Sequence, residues 1–584
     1  MTLVCVPILF DDPESAAREA IEARDAGADL VELRVDRYFS GRGGDEPQGE
    51  CHQQAERIAQ LVARCPLPCI VTCRPVLEGG HYDGPDDARI ALMERLGASA
   101  GGVAPAHGGA GRAPSYIDVE LATFLRSENV RQKVRLAVDH PGQVRAVTTG
   151  LILSSHDFHE RPPDLLRRLE AMNREPATRV MKIAFRARSL RDNLELLDLL
   201  AQSRGAGGAI KPLIALAMGP YGLMSRVLAP KFGAFLTFAS LRRDSATAPG
   251  QPIIGELLNL YRFGAIGSAT RVYGVVGWPV EHSLSPAVHN AGFEAIGHDG
   301  VYLPMPVAPG YEPFKATVLE LAEHVHLDLS GLSVTIPHKE HLARLAHQQR
   351  TGWGDRWSLD RLTELCGAGN TLVIRRDPKG RPKGLAVHNT DGAGLVGVVR
   401  GAGVEPAGAE ALVLGAGGMA RAAAAALALE GARVWVLNRT PERAEALCAD
   451  IARAAAALPE IGSAIAQRVL PIGRHELAAR APGIVVQCTP LGMAGGPDPG
   501  GSPLGAPELA GLPDRALVVE TVYRPARTPL LDLARQRGLR TVDGSALFVA
   551  QAAEQFRLWT DRAAPSRLFD RVVRESLDAD VAGP

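Results

Sequence analysis

A chain of 584 residues is well above the roughly 100–200 of one domain, so at least two independent cores are expected. Apolar residues at 46% and charged residues at 22% are ordinary for globular sequence, which excludes a disordered, collagenous or coiled-coil chain. Lys plus Arg number 64 against 65 Asp plus Glu, a formal net charge of −1, without the basic surplus that nucleic acid or an anionic membrane requires.

No apolar run approaches the roughly 18–20 residues that span a bilayer. The strand-like Leu3–Phe10 directly after Met1 fits neither a signal nor a transit peptide. Eight cysteines in this length are too sparse for a secreted disulfide framework, so a cytoplasmic protein is expected.

Short β-branched and apolar runs recur at 3–10, 28–36, 69–75, 116–121, 150–158, 179–187, 213–219 and 234–240. Helix-like segments such as Glu14–Ala26, Cys51–Arg64, Pro163–Asn173 and Ser189–Ala201 lie between them, with apolar residues three and four apart. Such alternation predicts parallel strands with right-handed crossovers. Eight units in this length have the size of a (β/α)8 TIM barrel, with a doubly wound open sheet as the alternative. The Gly/Ala-rich stretch 97–114 reads as a surface insertion.

Barrel strands are buried on both faces, so charges belong at the C-terminal rim where such barrels hold active sites. Glu32 and Arg34 end the second strand, Arg74 and Glu78 follow the third, and His156 ends the fifth. Lys182 stands mid-strand between Met181 and Ile183. A lysine in an apolar, desolvated wall has its ammonium disfavoured, which supplies the free amine that attacks a ketone to form a Schiff base. The competing reading is a lysine snorkelling out of a strand end, or paired with Glu32 or Glu78. His156 would shuttle protons, with Glu78 orienting its ring. Cys65, Cys69 and Cys73, spaced by four, match no zinc or cluster spacing and read as small apolar residues, so no metal is expected.

A helix over 253–263 and a polar linker at 264–270 precede a new strand at Arg271. Further on, the strand Ala411–Leu414 leads into Gly415-Ala416-Gly417-Gly418-Met419-Ala420 and an Ala-rich helix over 421–430. Glycines there let the backbone approach a pyrophosphate seated on the helix N-terminus. The next strand, Arg433–Leu437, is followed by Asn438-Arg439-Thr440 rather than by Asp or Glu. A carboxylate would repel a 2′-phosphate, whereas a guanidinium pairs with it, so NADP is expected over NAD.

The stretches Glu32–Asp36, Ser155–Phe158, Met181–Ala184, Met224–Val227 and Ala248–Gln251 resemble the type I 3-dehydroquinate dehydratases. That resemblance places the Schiff base at Lys182 and the general acid/base at His156, with Glu78 beside it. It assigns Arg226 to the substrate carboxylate, and Glu32, Arg34, Arg74, Thr247 and Gln251 to further substrate contacts. Thr247 stands where the family usually has serine. The runs 277–290, 331–340, 367–371, 388–394, 519–531 and 543–559 resemble the shikimate dehydrogenases. That resemblance implies a Lys339–Asp391 catalytic dyad, substrate contacts at Ser283, Ser285, Thr335, Asn370, Tyr523 and Gln551, and cofactor contacts extending to Thr489 and Gly544. Ser333 and Gln487 each replace a usual family asparagine.

The organisation expected is a barrel over 1–263, a linker over 264–270, a substrate domain over 271–387 completed by 545–575, and a Rossmann domain over 388–544. The resemblances imply a bifunctional enzyme that dehydrates 3-dehydroquinate and reduces the 3-dehydroshikimate so formed to shikimate with NADPH. One half's product is the other's substrate, so the two assignments support each other. A metabolite sensor with weakened chemistry, or an NAD-dependent quinate dehydrogenase in the second half, are the alternatives.

Overall fold

Continuous apolar runs become strands buried on both faces. In the first half they are β1 (Leu3–Leu9), β2 (Leu30–Arg34), β3 (Cys69–Thr72), β4 (Tyr116–Glu120), β5 (Gly150–Asp157), β6 (Thr178–Arg186), β7 (Leu213–Met218) and β8 (Leu236–Phe238). The computed structural model describes residues 1–42, 49–98, 113–139, 148–205, 207, 209–352, 356–458 and 462–582. Residues 99–112 of the stretch read as an insertion lie outside them.

Each of these strands pairs in parallel with its predecessor from β1 to β7, and β8 returns to β1. The seam between β7 and β8 is bridged by Phe235 N–H donating to Leu213 O at 2.9 Å. The sheet is therefore a nearly closed barrel, not a doubly wound open one. Its interior holds an apolar layer of Cys5, Leu30, Ile70, Ile152, Val180, Ile214 and Leu236. Burying each large aliphatic side chain of that layer stabilises the fold by about 1.5–3 kcal/mol.

One expectation near residue 260 is corrected. The helix read over 253–263 is a short segment containing a π-helical turn, Glu256–Leu260, and is closed by Arg262 at a left-handed φ of 53°. In the 264–270 segment, read as a linker, Phe263–Ala265 forms a 3-10 turn, and Gly267 N–H donates to Thr270 Oγ1 at 2.8 Å. The buried Lys231 Nζ also donates to Ser268 O and Thr270 O, each at 2.9 Å. The chain divides into compact units at Thr270 and Arg271.

The second unit contains two sheets. β9 (Arg271–Gly277), β10 (Gly300–Pro306), β11 (Leu329–Val334), β12 (Trp357–Leu359), β13 (Thr371–Arg376) and β14 (Pro382–His388) form a mixed sheet in the order β10-β9-β11-β13-β14-β12. β15 (Glu410–Leu414), β16 (Arg433–Leu437), β17 (Val469–Pro471), β18 (Ile484–Gln487), β19 (Leu517–Glu520) and β20 (Arg540–Val542) form a wholly parallel one. Its order, β17-β16-β15-β18-β19-β20, is the 3-2-1-4-5-6 arrangement of dinucleotide-binding sheets. The C-terminal helices Gly544–Thr560 and Ser566–Ala582 pack Phe556, Trp559, Phe569 and Val573 against Tyr273, Phe293 and Tyr302 of the mixed-sheet domain. The last segment thus completes the core of an earlier domain.

Candidate active sites

The barrel rim encloses a cavity of about 60 Å³ whose walls include Glu32, Arg34, Arg74, Glu78, His156, Lys182, Arg226, Thr247 and Gln251. Strands β2, β3, β5 and β6 with their following loops, and the loops after β7 and β8, thus bring all nine barrel residues singled out in the sequence into one chamber.

The surroundings of Lys182 differ from the apolar wall expected. Its ammonium pairs with Asp118 of β4 at 2.9 Å and with Glu32 at 3.4 Å, and lies 4.7 Å above the Phe238 ring centre. Glu78 is not a partner of the lysine. It reaches from the turn Val76–Glu78 to His156, accepting from the backbone N–H at 3.2 Å and lying 3.1 Å from Nδ1. Burial pushes the Glu78 carboxyl up to about 7 despite the opposing Arg74 charge. Burial and then the neighbouring Arg74 and Lys182 charges hold His156 well below its ordinary value, so the imidazole is neutral. A neutral ring beside a carboxyl that titrates near neutrality is equipped for proton transfer.

Sequence reading missed the charges that support these groups. Arg74 pairs with Asp118 at 2.8 Å and Glu120 at 2.7 Å, and donates to Ser154 Oγ at 2.8 Å. Glu120 also pairs with the buried Arg89 at 2.5 Å. Burial opposes ionisation of Asp118, yet Arg74 and Lys182 hold its carboxyl well below the usual carboxylate range. The result is an alternating line, Arg89–Glu120–Arg74–Asp118–Lys182–Glu32, in which each buried charge has an opposite neighbour. Arg34 is oriented by a bidentate pair with buried Asp36, at 2.8 and 3.0 Å.

Arg226 is the exception. It is 1% exposed, burial pushes it down to about 10, and no carboxylate pairs with it among the described residues. A buried guanidinium with no counter-charge is a strong site for an anionic ligand. Thr247 N–H donates to Gln251 Oε1 at 3.1 Å, and its hydroxyl lies 3.5 Å from the same oxygen, so the two residues singled out after β8 are in contact.

In the second unit, Lys339 Nζ donates to Asp391 Oδ2 at 2.6 Å, with both side chains largely buried. Lys339 opens the helix Lys339–Gly352, and Asp391 lies in the first turn of Thr390–Gly401, capped by Asn389. Asn370 fixes that turn by donating to Thr390 Oγ1 at 2.9 Å and accepting from Thr390 N–H at 2.8 Å. Ser285 N–H donates to Ser283 Oγ at 3.3 Å, and Thr335 N–H to Val276 O at 2.9 Å. Gln551 lies on the Gly544–Thr560 helix, whose backbone at 551 would sit 3.0 Å from a Cβ placed on Gly394. Tyr523 packs on Phe548 with ring centres 5.0 Å apart.

The dinucleotide loop abuts this dyad. Gly415 has φ of 119°, a conformation that disfavours any side chain, and its N–H donates to Leu437 O at 2.8 Å. A Cβ on Gly418 would come within 3.2 Å of the Lys339 Cβ. Ala416 is half-buried in the loop, and Ala420 is fully buried. Gly417 caps the helix Gly418–Leu429 without a side-chain acceptor, leaving its first amides for a phosphate. Beyond β16, Asn438 donates to Thr440 O at 2.9 Å, while Arg439 is exposed. Gln487 folds back on the next loop, donating to Thr489 Oγ1 at 2.9 Å and accepting from Thr489 N–H at 3.0 Å. A Cβ on Gly544 would come within 2.1 Å of Val522 O, so the Gly544–Thr560 helix starts tightly against the segment just after β19. These features fit a 2′-phosphorylated dinucleotide. Among the described residues no group of three or more His, Cys, Asp or Glu side chains could hold a metal ion, and no helix is long and apolar enough to cross a membrane.

Three family models match: type I 3-dehydroquinase over residues 4–268, the shikimate dehydrogenase substrate binding domain over 275–372, and shikimate/quinate 5-dehydrogenase over 402–470. The chain is 32% identical, over 98% of its length and 84% of the relative's, to the chloroplastic bifunctional 3-dehydroquinate dehydratase/shikimate dehydrogenase of Arabidopsis thaliana. Over 50% of its length it is 41% identical to the NADP(+) shikimate dehydrogenase of Symbiobacterium thermophilum, covering 90% of that protein. Among solved structures, the dehydroquinate dehydratase and shikimate dehydrogenase part of S. pombe AroM aligns over 98% of both chains at 23% identity and a TM-score of 0.39. Shikimate dehydrogenase from Thermus thermophilus with NADP(H) and shikimate aligns over 53% of this chain and 100% of its own, at 30% identity and a TM-score of 0.42. The chain belongs to the bifunctional 3-dehydroquinate dehydratase/shikimate dehydrogenase family of the shikimate pathway, a lyase and an NADP-dependent oxidoreductase in one polypeptide.

Proposed function

We propose that Lys182 carries the dehydration as a covalent catalyst and that the Lys339–Asp391 dyad carries the reduction. The observation supporting the first role most directly is the chamber itself: a buried lysine, a neutral histidine and a guanidinium without a counter-charge converge on one small cavity. Arg226 binds the substrate carboxylate and so aims the ketone at Lys182. The amine, once it has given up its proton, adds to the ketone carbon, and loss of water leaves an iminium. His156 removes a proton from the adjacent carbon to give an enamine, then returns it to the departing hydroxyl. A second water hydrolyses the conjugated iminium, releasing 3-dehydroshikimate and the lysine. Asp118 and Glu32 balance the cationic forms of Lys182 along this route. Arg34, Arg74, Thr247 and Gln251 serve as the remaining substrate contacts.

Glu78 gives the dehydration its pH dependence. Below about 7 its carboxyl is protonated; as pH rises through that value, the carboxylate accepts Nδ1–H of His156 and leaves Nε2 as the base. Dehydration kcat/KM is expected to rise with pH up to near 7 and then level. Glu78→Gln should lower the plateau about tenfold and remove that limb. A rate–pH profile of the variant that keeps the limb would take Glu78 out of this role.

In the second unit, NADPH supplies hydride to the ketone carbon. Lys339 stabilises the negative charge building on the ketone oxygen and donates a proton to it, while Asp391 orients the ammonium. Ser283, Ser285, Thr335, Asn370, Tyr523 and Gln551 serve as contacts for the substrate's hydroxyls and carboxylate. Arg439 serves the 2′-phosphate; an exposed arginine two residues beyond the Leu437 carbonyl that anchors Gly415 supports this. Arg439→Asp is expected to weaken NADPH binding on the order of 100-fold in a fluorescence titration, with NADH affinity changed less than about threefold. Equal losses for both cofactors would overturn the contact. An NAD-dependent quinate dehydrogenase is disfavoured by the same arginine, and a sensor by two complete catalytic sets. All eight cysteines are free thiols, which supports a reducing compartment such as the cytoplasm. The partners proposed are the small-molecule substrates alone.

A further inference from the structure

The loop after β19 is held at both ends by one buried carboxylate. Glu520, fully buried, accepts from Thr521 N–H at 2.8 Å, from Val522 N–H at 2.9 Å and from Thr528 Oγ1 at 2.7 Å. Thr528 in turn caps the helix Pro529–Gln536. Between these anchors, Tyr523 packs on Phe548, and the Arg524 carbonyl accepts from Ala494 N–H at 2.8 Å, tying the loop to the segment that follows Thr489. The loop is therefore a rigid part of the nucleotide side of the cleft. Its side chain at 524 leaves that side: Arg524 Nη1 donates to the carbonyl of His282 at 3.0 Å. His282 immediately precedes Ser283 on the loop between β9 and the Ser285–Ala295 helix, in the opposite domain.

We propose that Arg524 is a positioning residue that latches the reductase cleft, fixing the Ser283–Ser285 segment against the cofactor-side loop that carries Tyr523. The inference deepens the reductase reading above and rests on it. A charged donor to a backbone carbonyl is directional, and a carbonyl cannot be lost by mutation of residue 282, so the latch is set by the arginine alone. With the latch made, the substrate's hydroxyl contacts on one domain and the nicotinamide side of the other are already in register. Without it, each encounter must order a loop before hydride transfer. The cost falls on capture of the ketone substrate, because the latch holds the Ser283–Ser285 segment, whereas NADPH seats on the Gly415–Gly418 loop.

The test uses the full-length chain with 3-dehydroshikimate and NADPH. Arg524→Gln is expected to raise KM for 3-dehydroshikimate about tenfold, change kcat by less than about threefold, and leave the NADPH dissociation constant within about twofold. Arg524→Lys keeps one donor and is expected to recover KM to within about threefold of the parent. A KM within twofold of the parent in Arg524→Gln would overturn the latch. Matching losses in NADPH and ketone binding, including a misfolded variant that binds neither, would also overturn it, since the arginine would then be a general fold element. So would a lysine variant as weak as the glutamine one. Failure of the underlying reductase reading has a different signature: the unaltered chain would not oxidise NADPH with this substrate at all.

Discussion

Borohydride added to the enzyme together with 3-dehydroquinate is expected to leave a reduced ligand covalently bound at Lys182, detectable by peptide mass spectrometry. Reduction fixes the iminium as a secondary amine that water cannot hydrolyse, so the dehydration is lost in proportion to labelling. Lys182→Met is expected to lower dehydration on the order of 10⁴-fold or more, because no other group in the chamber can form the covalent intermediate. NADPH-dependent reduction of 3-dehydroshikimate in the same variant should remain within about twofold, since the reductase lies in a separate compact unit. Removing the ammonium also strips Glu32 and Asp118 of a shared counter-charge, although Arg74 still faces Asp118 at 2.8 Å. The variant is therefore expected to melt at a lower temperature, and the activity loss must be read on folded protein. An active enzyme that yields no adduct, or an adduct at another lysine, would remove Lys182 from the chemistry.

The parts of this molecule visible in its sequence are those whose cause is local. Parallel strands buried on both faces read as unbroken apolar runs, so Lys182 between Met181 and Ile183 stood out as an anomaly. Glycine at 415 and the missing acid after β16 announced a phosphate-binding turn and its preference, because both constraints act within one βαβ unit. Asp118 and Glu120 did not stand out. In Tyr116–Glu120 they alternate with Ile117 and Val119, the pattern of a half-exposed strand, and their partners Arg74 and Arg89 are 46 and 31 residues away from Glu120. Only barrel closure turns that alternation inward and makes it part of a line of paired charges. The 264–270 segment hid a contact in the same way: its polar composition reads as a linker, and nothing local shows that Lys231, 37 and 39 residues earlier, fastens two of its carbonyls. Arg524 belongs to the same class, since its meaning lies in a carbonyl 242 residues earlier in the chain.

Lys339→Met is expected to abolish most reduction while sparing dehydration, and the geometry sets how the result must be read. The lysine has two roles that a truncation would mix. Its ammonium, 2.6 Å from Asp391, is the charge and proton source for the ketone oxygen, whereas its methylenes fill the space against Gly418 of the dinucleotide loop. Methionine keeps much of the second and removes the first. Loss of one preorganised donor to a developing oxyanion costs on the order of 10²–10³-fold in kcat, and loss of the proton donor adds to it, so a fall of about 10³-fold or more is expected. NADPH should still bind within about threefold, measured by its fluorescence. Asp391→Asn keeps a hydrogen-bond acceptor for the ammonium but not its charge, and should fall between the parent and Lys339→Met. Dehydration by both variants should match the parent, because Lys182, His156 and Arg226 are untouched. Reduction surviving in Lys339→Met at more than a tenth of the parent rate would mean that the proton and the charge stabilisation come from elsewhere in the cleft. The dyad would then be an ordinary buried ion pair whose loss lowers stability rather than rate.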